Sequence, residues 1–295
     1  MRSVSWSIPR RYLRLTLYDG RSSLRERKVL SSLTEFSKVS GDISSTVSGA
    51  AAEANITISN LKRDTMAFLS TNFTTWTKNQ IQNEVELDIG YDNNHALLFR
   101  GSIIEAVPSM VSETYTIKLK CQAQFPNQLN QVFSVSSAGT ATVKSLAEKI
   151  AANYGYSANV STGSVTETVK NYSLSQQPLV NHLRYLSEIT GLDCFVQNDT
   201  VIVKKRNEAI RRPRIYRIDG SNMIGSPRPT NAGAVVKVRL DPTIRTGIEA
   251  RIKSAKFPTL NDGEYIIETI STSFDTRGND WFNEIKLTRK DIYTQ

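Results

Sequence analysis

The stretch VELDIGYDNNHALLFRGSIIEAV, residues 85–107, decides the fold class of this chain. Val85, Leu87 and Ile89 alternate with acidic residues, which is the period of a strand that buries one face. Residues 92–94 (DNN) supply a turn, and ALLFRGSIIEAV follows as the returning strand. The stretch therefore predicts a β-hairpin.

Strand patterns continue on both sides of this hairpin. In RYLRLTLYDG (11–20) every second residue is leucine up to a turn, and AEANITIS and TYTIKLKCQA repeat the same period. Four more strands are predicted near the C-terminus, over 233–240, 247–255, 263–275 and 281–290. Their regular spacing is typical of a closed or sandwiched antiparallel sheet.

Two segments of the first third have other patterns. Residues 37–53 (SKVSGDISSTVSGAAAE) are rich in Ser, Gly and Ala and have little periodicity, so they predict a long exposed loop. The segment NLKRDTMAFLS predicts a short helix with Asn60 as its N-cap.

The middle of the chain has helical periodicity. Residues 143–154 place Leu146 and Ile150 one turn apart, and a second helix is predicted from about 178 to 190. LDCFVQNDTVIVKK then predicts a strand, a turn and a strand. These elements predict a small α+β module over 126–205, so the predicted fold class is mainly β with an α+β insert.

Net charge is the compositional feature that needs an explanation, because the 295-residue chain carries a formal +9. Residues 1–28 hold eight basic and two acidic residues, and residues 204–217 hold seven basic and one acidic residue. The rest of the chain is therefore mildly acidic. Such local concentrations are typical of solvated arms or linkers, and they are also compatible with a nucleic-acid partner.

Groups for catalysis or metal binding are scarce. The two histidines and the two cysteines lie far apart, which disfavours a zinc site. His182 falls on the apolar face of a predicted helix, where packing is its expected role, and Cys121 and Cys194 are expected to be buried thiols in strands. The sequence contains no phosphate-binding loop, HExxH or GxSxG motif and no apolar stretch long enough to span a membrane. We therefore expect no enzymatic activity, no cofactor and no metal.

Three sets of motifs resemble the baseplate hub proteins of contractile-tailed bacteriophages, the family of phage late control protein D and the N-terminal part of VgrG. The first set is ANITISNL, then Gly90-Tyr91, then LFRGSI at 98–103. The second set consists of Gln176, Leu183, Leu186 and Gly191. The third set lies in NDGEYIIETISTSFDTRGNDWFNEIKL and consists of Gly263, Tyr265, Asp275, Gly278 and Trp281. The resemblance covers about residues 54–290.

This resemblance implies two tail-tube-like antiparallel β-barrel or sandwich domains, at 1–125 and 206–295, that flank the α+β module at 126–205. It implies a structural virion protein, a hub subunit whose homotrimer forms a pseudo-sixfold ring. That ring would join the tail tube to the central spike and surround the channel for DNA ejection. The implied partners are two further copies, the tail tube protein, the spike protein and other baseplate proteins, with assembly in the host cytoplasm and a final place in the phage tail baseplate.

The basic segments suit contacts between subunits or with acidic neighbours. The candidate contact residues are Arg10, Arg11, Arg14, Lys204, Lys205, Arg206, Arg211 and Arg212. Two alternatives stay open from the sequence. The first is a nucleic-acid-binding protein that uses residues 1–28 and 204–217, and the second is a cell-wall hydrolase or glycan-binding tail component.

Overall fold

The structure of the protein is a computed structural model. It describes residues 9–21, 27–47, 51–71, 83–92, 94–111, 114–123, 132–161, 166–197, 200–206, 208–210 and 215–294. Most of this part of the chain is extended, and most of its strands belong to one large sheet.

The N-terminal part of the chain is built from strands with one buried face. These strands are β1 (Arg11–Tyr18), β2 (Val29–Thr34), β3 (Val39–Thr46), β4 (Glu53–Ser59), β5 (Glu84–Tyr91), β6 (Asn94–Val111) and β7 (Thr114–Gln122). Helix α1 (Arg63–Thr71) lies between β4 and β5 and buries Met66 and Leu69. In β7 every second side chain is buried, from Ile117 to Cys121, which is the alternation that a half-buried strand requires.

The middle part contains two further helices and two small sheets. Its elements are β8 (Phe133–Thr142), α2 (Val143–Asn153), β9 (Ser157–Val160), β10 (Thr168–Gln177), α3 (Leu179–Thr190), β11 (Asp193–Gln197) and β12 (Thr200–Lys204). β8 pairs with β10, and β12 lies between β11 and β9. Thr142 caps α2 by accepting a hydrogen bond from the Ser145 N–H, and Gly191 ends α3 in the left-handed conformation.

The C-terminal part returns to β structure. Its strands are β13 (Tyr216–Ile218), β14 (Met223–Thr230), β15 (Gly233–Arg239), β16 (Glu249–Ile252), β17 (Tyr265–Asp275) and β18 (Trp281–Arg289). Short 3-10 helices occupy Pro258–Leu260 and Lys290–Thr294.

One sheet joins the two β-rich parts of the chain. The strand order along its main path is β14-β15-β18-β17-β3-β4-β7-β6-β5-β1-β2, and β16 pairs with the start of β17 and with β13. β17 runs antiparallel to β3, with Thr272 opposite Ile43 and Phe274 opposite Gly41. The two β-rich parts therefore meet in a strand pair, which we call the internal joint.

The strands of the internal joint also connect the hydrophobic cores. One core lies among β1–β7 and α1, and it includes Phe274 of β17 and Trp281 of β18. A second core lies among β13–β18, and it includes Ile267 of β17 and Ile285 of β18. A third core is confined to the middle part of the chain. Because β17 and β18 contribute to both β cores, removing this hairpin would expose apolar surface in each of them.

The predicted exposed loop at 37–53 is wrong over most of its length. Residues 39–46 form β3, which lies inside the sheet between β4 and β17. Val39 and Ile43 face the core, while Asp42 and Ser44 occupy the solvent face. A strand with few apolar residues is held here by neighbours on both sides, which composition does not reveal.

Asn60 is also not an N-cap. It has a φ of 57° and directly follows β4, and α1 begins at Arg63. The predicted mainly-β fold class is confirmed, as are the hairpin at 85–107, both helices of the middle part and the four C-terminal strands. The predicted turn residues Asn93, Asn198 and Asp199 lie outside the described residues.

Candidate interaction surfaces

The N-terminal basic candidates lie on strand β1 or directly before it. Arg10 is exposed, and its guanidinium is 3.1 Å from the Glu35 carboxylate and 4.8 Å from the ring centre of Phe36. Arg14 is exposed as well and pairs at 3.0 Å with Asp88, its cross-strand neighbour on β5. Exposed pairs contribute about 0–1 kcal/mol, so both arginines can exchange these partners for groups of another protein.

Arg11 is committed to the interior of the chain. Its guanidinium donates to the carbonyl oxygens of Asp275 at 2.9 Å and Gly278 at 2.7 Å, in the turn between β17 and β18. The same group lies 5.1 Å from the ring centre of Trp281. Arg11 therefore ties the first strand to the C-terminal hairpin, in addition to any contact with a partner.

The second basic cluster separates into one buried and two exposed residues. Lys204 is 1% exposed, and its ammonium donates to the Asp193 carboxylate at 2.8 Å. Lys205 pairs with Glu167 at 3.5 Å, and Arg206 lies 3.9 Å from Asp193. The sequence analysis predicted Lys204 as a surface contact, and the structure corrects this prediction, because a buried and paired ammonium is not available at the surface. Arg211 and Arg212 lie outside the described residues.

Other basic residues of segment 1–28 also have acidic partners within the chain. Arg21 pairs with Asp19 at 2.7 Å, and Arg27 pairs with Glu84 at 2.5 Å and Glu86 at 2.6 Å. These carboxylates lower the positive potential that a polyanion would meet. The arrangement of this segment therefore favours a structural role over a phosphate-binding face.

His182 and the two cysteines are buried and used in packing. The His182 Nε2–H donates a hydrogen bond to the Phe133 carbonyl oxygen at 3.0 Å, its Nδ1 lies 3.0 Å from the Tyr172 hydroxyl, and burial lowers its pKa. Burial likewise raises the pKa of Cys121 and Cys194 far above that of a free thiol. The packing role predicted for His182 and the burial predicted for both thiols are confirmed. Among the described residues, no group of three His, Cys, Asp or Glu side chains could hold a metal ion.

Sequence reasoning missed several large apolar side chains that are exposed. Phe36 projects from the turn before β3, and Val107, Met110 and Tyr115 lie on the hairpin formed by β6 and β7. Met110 is 60% exposed. A signal was present in the sequence, since the proline at position 108 within a strand pattern is typical of a sheet edge.

Beyond Ser102, strand β6 pairs with a described strand on one side only. β5 pairs with β6 as far as Ser102, whereas β7 continues to pair with it to Val111. The strand at one end of the main sheet path, β14, is similar, because β15 is its partner on one side and no described strand pairs with the other. Both strands therefore offer an edge to a further chain.

The two β-rich parts repeat one arrangement of strands. β6 and β7 form a hairpin with a bulge at Ile104, and β17 and β18 form a hairpin with a bulge at Glu268. The corresponding cross-strand pairs are Ile103–Cys121 with Ile267–Leu287, and Ala106–Leu119 with Ile270–Ile285. The next strands correspond as well, because β4 lies beside β7 as β15 lies beside β18, and β3 lies beside β4 as β14 lies beside β15.

The repeat left a weak trace in the sequence that sequence reasoning missed. IIEAV at 103–107 lies in β6, and IIETI at 266–270 lies in β17, although the two pentapeptides are one residue out of structural register. Short apolar runs of this kind are common in strands, so the match indicates a repeat only in combination with the shared bulge and strand pairing.

A cleft of about 150 Å³ lies where the three parts of the chain meet. Its lining is contributed by Phe99 of β6, Tyr156 of the middle part, Ile244 of the C-terminal part and Ile270 of β17. A small hydrophobic cluster also connects the N-terminal part to the middle part of the chain, because Val47, which follows β3, packs with Phe195 of β11 and Ile202 of β12. This interior is a packing junction in which apolar side chains predominate.

Comparison with known proteins identifies the family of this chain. The sequence model of the family described as baseplate hub gp41 matches residues 24–286, which is most of the chain. The chain belongs to the baseplate hub gp41 family. Among curated proteins, no sequence matches the chain.

Solved structures support the same assignment at the level of the fold. The 43 kDa tail protein of prophage MuSo2 from Shewanella oneidensis is 12% identical, with a TM-score of 0.62 over 94% of this chain and 97% of that chain. A tail protein from Neisseria meningitidis is 10% identical, with a TM-score of 0.63 over 96% and 98% of the two chains. The E. coli c3393 protein, a type VI secretion component described as similar to phage T4 gp27 and gp5, is 9% identical, with a TM-score of 0.56 over 86% and 73%.

The resemblance to phage baseplate hub proteins is therefore confirmed. The family is one of structural components of the phage tail baseplate, and this hub chain has the fold of phage tail proteins. No helix among the described ranges of the hub chain is long and apolar enough to cross a membrane.

Proposed function

We propose that this chain is the subunit of a homotrimeric, pseudo-sixfold hub ring that joins the tail tube to the central spike. The observation that carries the proposal is the repeated strand arrangement, in which one chain contains two similar β units held together by the internal joint. Three such chains present six similar units, and this number allows a threefold component to meet a sixfold one.

The solvent face of the large sheet is suited to line the central channel. On this face Asp42, Glu53 and Glu105 lie among Lys118 and Lys120, on neighbouring strands. A surface that mixes both signs offers no continuous basic track to retain phosphates. We propose that DNA passes this face during ejection without being held by it.

The further parts of the proposal concern partners and organisation. The tail tube protein, the spike protein and other baseplate proteins are the proposed partners, and the described basic candidates whose side chains are exposed enough to contact them are Arg10, Arg14, Lys205 and Arg206. The division into domains at 1–125, 126–205 and 206–295 stays a prediction. We propose a structural role without catalysis and assembly in the host cytoplasm before incorporation into the virion.

Mass measurement tests the proposal directly. Native mass spectrometry of the purified chain is expected to give about 99 kDa, three times the 33.0 kDa of one chain, alone or with spike protein. Cryo-electron microscopy of the chain with tube and spike proteins is expected to show a threefold ring of six similar units. A chain that stays monomeric at high concentration and binds neither protein would contradict the proposal.

A further inference from the structure

Phe36 is the most exposed of the large apolar side chains that the structure describes, with 65% of its surface accessible. It lies in the turn between β2 and β3. Single apolar residues at a protein surface are common and need no partner. Three sets of contacts distinguish Phe36 from such residues, namely those of its turn, of two arginines and of the neighbouring strand ends.

The turn that carries Phe36 is fixed against the turn between β17 and β18. The Thr276 hydroxyl accepts a hydrogen bond from the Val39 N–H at 3.0 Å and donates one to the Ser37 carbonyl oxygen at 2.6 Å. The Arg277 guanidinium donates to the carbonyl oxygen of Phe36 itself. Because this backbone is already ordered, a partner that binds Phe36 does not have to immobilise the turn, which lowers the entropic cost of binding.

Two guanidinium groups lie beside Phe36. That of Arg10 is 4.8 Å from the centre of the ring, and that of Arg277 is bonded to the backbone of the same residue. Arg10 also pairs with Glu35 at 3.1 Å, but an exposed pair of this kind contributes little and can exchange partners. A guanidinium has five N–H donors, so both arginines have donors to offer to carboxylates of another protein.

Exposed aromatic surface continues from this turn across the neighbouring strand ends. On the core face of β7, Tyr115 is the next residue beyond the buried Ile117, and it is 50% exposed. The Asn60 N–H at the end of β4 donates to the Tyr115 carbonyl oxygen at 2.8 Å, and the Ser59 N–H donates to the Lys38 carbonyl oxygen at 3.0 Å. The turn and the start of β7 therefore lie on the two sides of β4, about 10 Å apart.

We propose that Phe36, Tyr115, Arg10 and Arg277 form a docking surface for a neighbouring tail protein, and we call these four residues the strand-end anchor. Phe36 enters an apolar pocket of the neighbour, and carboxylates at the rim of that pocket bind the two guanidinium groups. The contact is made at the ends of strands, so it requires no pairing of sheet edges. The inference rests on the proposed function as a baseplate hub and names one surface through which the hub chain holds a partner.

The chemistry of the strand-end anchor favours a protein over a nucleic acid. Aromatic residues and arginine are enriched in the buried centres of protein interfaces, where a few side chains supply most of the binding energy. A polyanion is attracted by uncompensated positive charge, whereas Glu35 lies 3.1 Å from Arg10 and lowers the local potential. A neighbour with a few carboxylates around an apolar pocket matches both the ring and the guanidinium groups.

Hydroxyl-radical footprinting tests whether a neighbour covers Phe36. The probes are the tail tube protein and the spike protein, each added separately to the full-length hub chain. Phe36 is expected to be oxidised readily in the hub chain alone and to be protected when one of the two proteins binds. Ile189, which is exposed on α3, is the control and is expected to keep its oxidation rate. Protection of Phe36 in the hub chain alone would overturn the inference, because the chain itself or another copy would then cover the ring.

Two substitutions measure what the strand-end anchor contributes to binding. Phe36→Ala is expected to weaken binding of the protecting protein about tenfold or more, which is the loss typical of a central aromatic contact. Arg10→Gln is expected to weaken binding about threefold and to make it less sensitive to salt, because one charge pair is lost. Ile189→Ala is the matched control and is expected to bind as the wild type does. Because Phe36 is exposed, the thermal midpoint of Phe36→Ala is expected to stay within about 2 °C of the wild-type value, which shows that the variant is folded.

The outcomes separate the strand-end anchor from the proposed ring. Weaker partner binding by Phe36→Ala, with the native mass of three chains retained, supports both. Wild-type binding by a folded Phe36→Ala overturns the anchor and leaves the ring. Loss of the trimer in Phe36→Ala also overturns the anchor, because a second copy would then be the occupant. Protection of Phe36 by single-stranded DNA and by neither protein overturns it as well, whereas a wild-type chain that is monomeric and binds neither protein overturns the proposed function together with the anchor.

Discussion

At the scale of single residues, the ion pair between Lys204 and Asp193 is a contact whose loss is expected to lower stability strongly. The Lys204 ammonium is buried, and its carboxylate partner is only 15% exposed. Removing one partner of a buried pair leaves the other charge uncompensated, which costs several kcal/mol. We expect Lys204→Ala to lower the free energy of unfolding by about 3 kcal/mol, as measured by urea denaturation.

The neighbouring residue supplies the control for this prediction. Lys205 is 43% exposed and pairs at 3.5 Å with Glu167. Lys205→Ala is expected to change the free energy of unfolding by less than about 0.5 kcal/mol, since exposed pairs contribute little. Equal effects of the two substitutions would contradict the structural role assigned to Lys204.

His182 is expected to make stability depend on pH. Burial lowers its pKa in the folded chain below the value of about 6.5 in the unfolded chain. As pH falls below about 6.5 the unfolded chain binds the proton first, so the free energy of unfolding is expected to fall, by at most about 1.4 kcal/mol for each pH unit. In His182→Gln this part of the decline between pH 7 and pH 5 is expected to disappear.

Urea denaturation at pH 7.5 and pH 5.5 measures this effect. The wild-type chain and His182→Gln are compared under the same conditions. A decline that survives in His182→Gln would assign the pH dependence to other groups.

At the scale of elements, Gly41 shows why β3 can occupy its place in the sheet. A Cβ atom at this position would lie 2.3 Å from the Asn55 carbonyl oxygen and 3.0 Å from the Phe274 ring. Contacts that short require the backbone of β3 or β4 to move. We expect Gly41→Ala to lower the free energy of unfolding by about 2–4 kcal/mol and to speed hydrogen exchange in β3 and β17.

Ser44 of the same strand is the matched control for Gly41. It lies on the exposed face of β3, so Ser44→Ala is expected to change stability by less than about 0.5 kcal/mol. If the β17 amides exchanged at the wild-type rate in the Gly41→Ala variant, the close packing around Gly41 would not limit the stability of the internal joint.

Element prediction from the sequence succeeded where burial dictated the pattern. In β5, β7 and β15 apolar residues alternate because one face of each strand packs on a core, and these strands were recognised. β3 and β14 were missed, since serine, glycine and proline dominate them. Their strand structure depends on hydrogen bonds to neighbours that are distant in the sequence, and local composition carries no information about those neighbours.

At the scale of the whole molecule, the shared β17–β18 hairpin is expected to make the two β units unfold together. Phe274 and Trp281 pack in one β core while Ile267 and Ile285 pack in the other. The core of the middle part has no strand in common with them. Native-state hydrogen exchange is therefore expected to give β1–β7 and β13–β18 one opening free energy, with a different value for α2 and α3.

Mass spectrometry of peptides from each part measures these opening free energies. Trp281 lies at the boundary between the β cores, and its fluorescence is expected to change at the same urea concentration as the exchange of β4 and β15. Separate transitions for β4 and β15 would show that the internal joint opens before either β unit unfolds.

The sequence by itself determined the mainly-β class, the α+β insert, the absence of catalytic motifs and the family, because these depend on local periodicity and on motif order. Tertiary structure alone decided which basic residues are available. Lys204 and Arg11 are as basic in the sequence as Arg10, yet one is buried beside Asp193 and the other bonds the β17–β18 turn. Tertiary structure also decided which strand edges are unpaired among the described residues, since the strands that pair with each edge are often far away along the chain. In the described parts of the two basic segments, much of the positive charge is thus paired with carboxylates of the same chain.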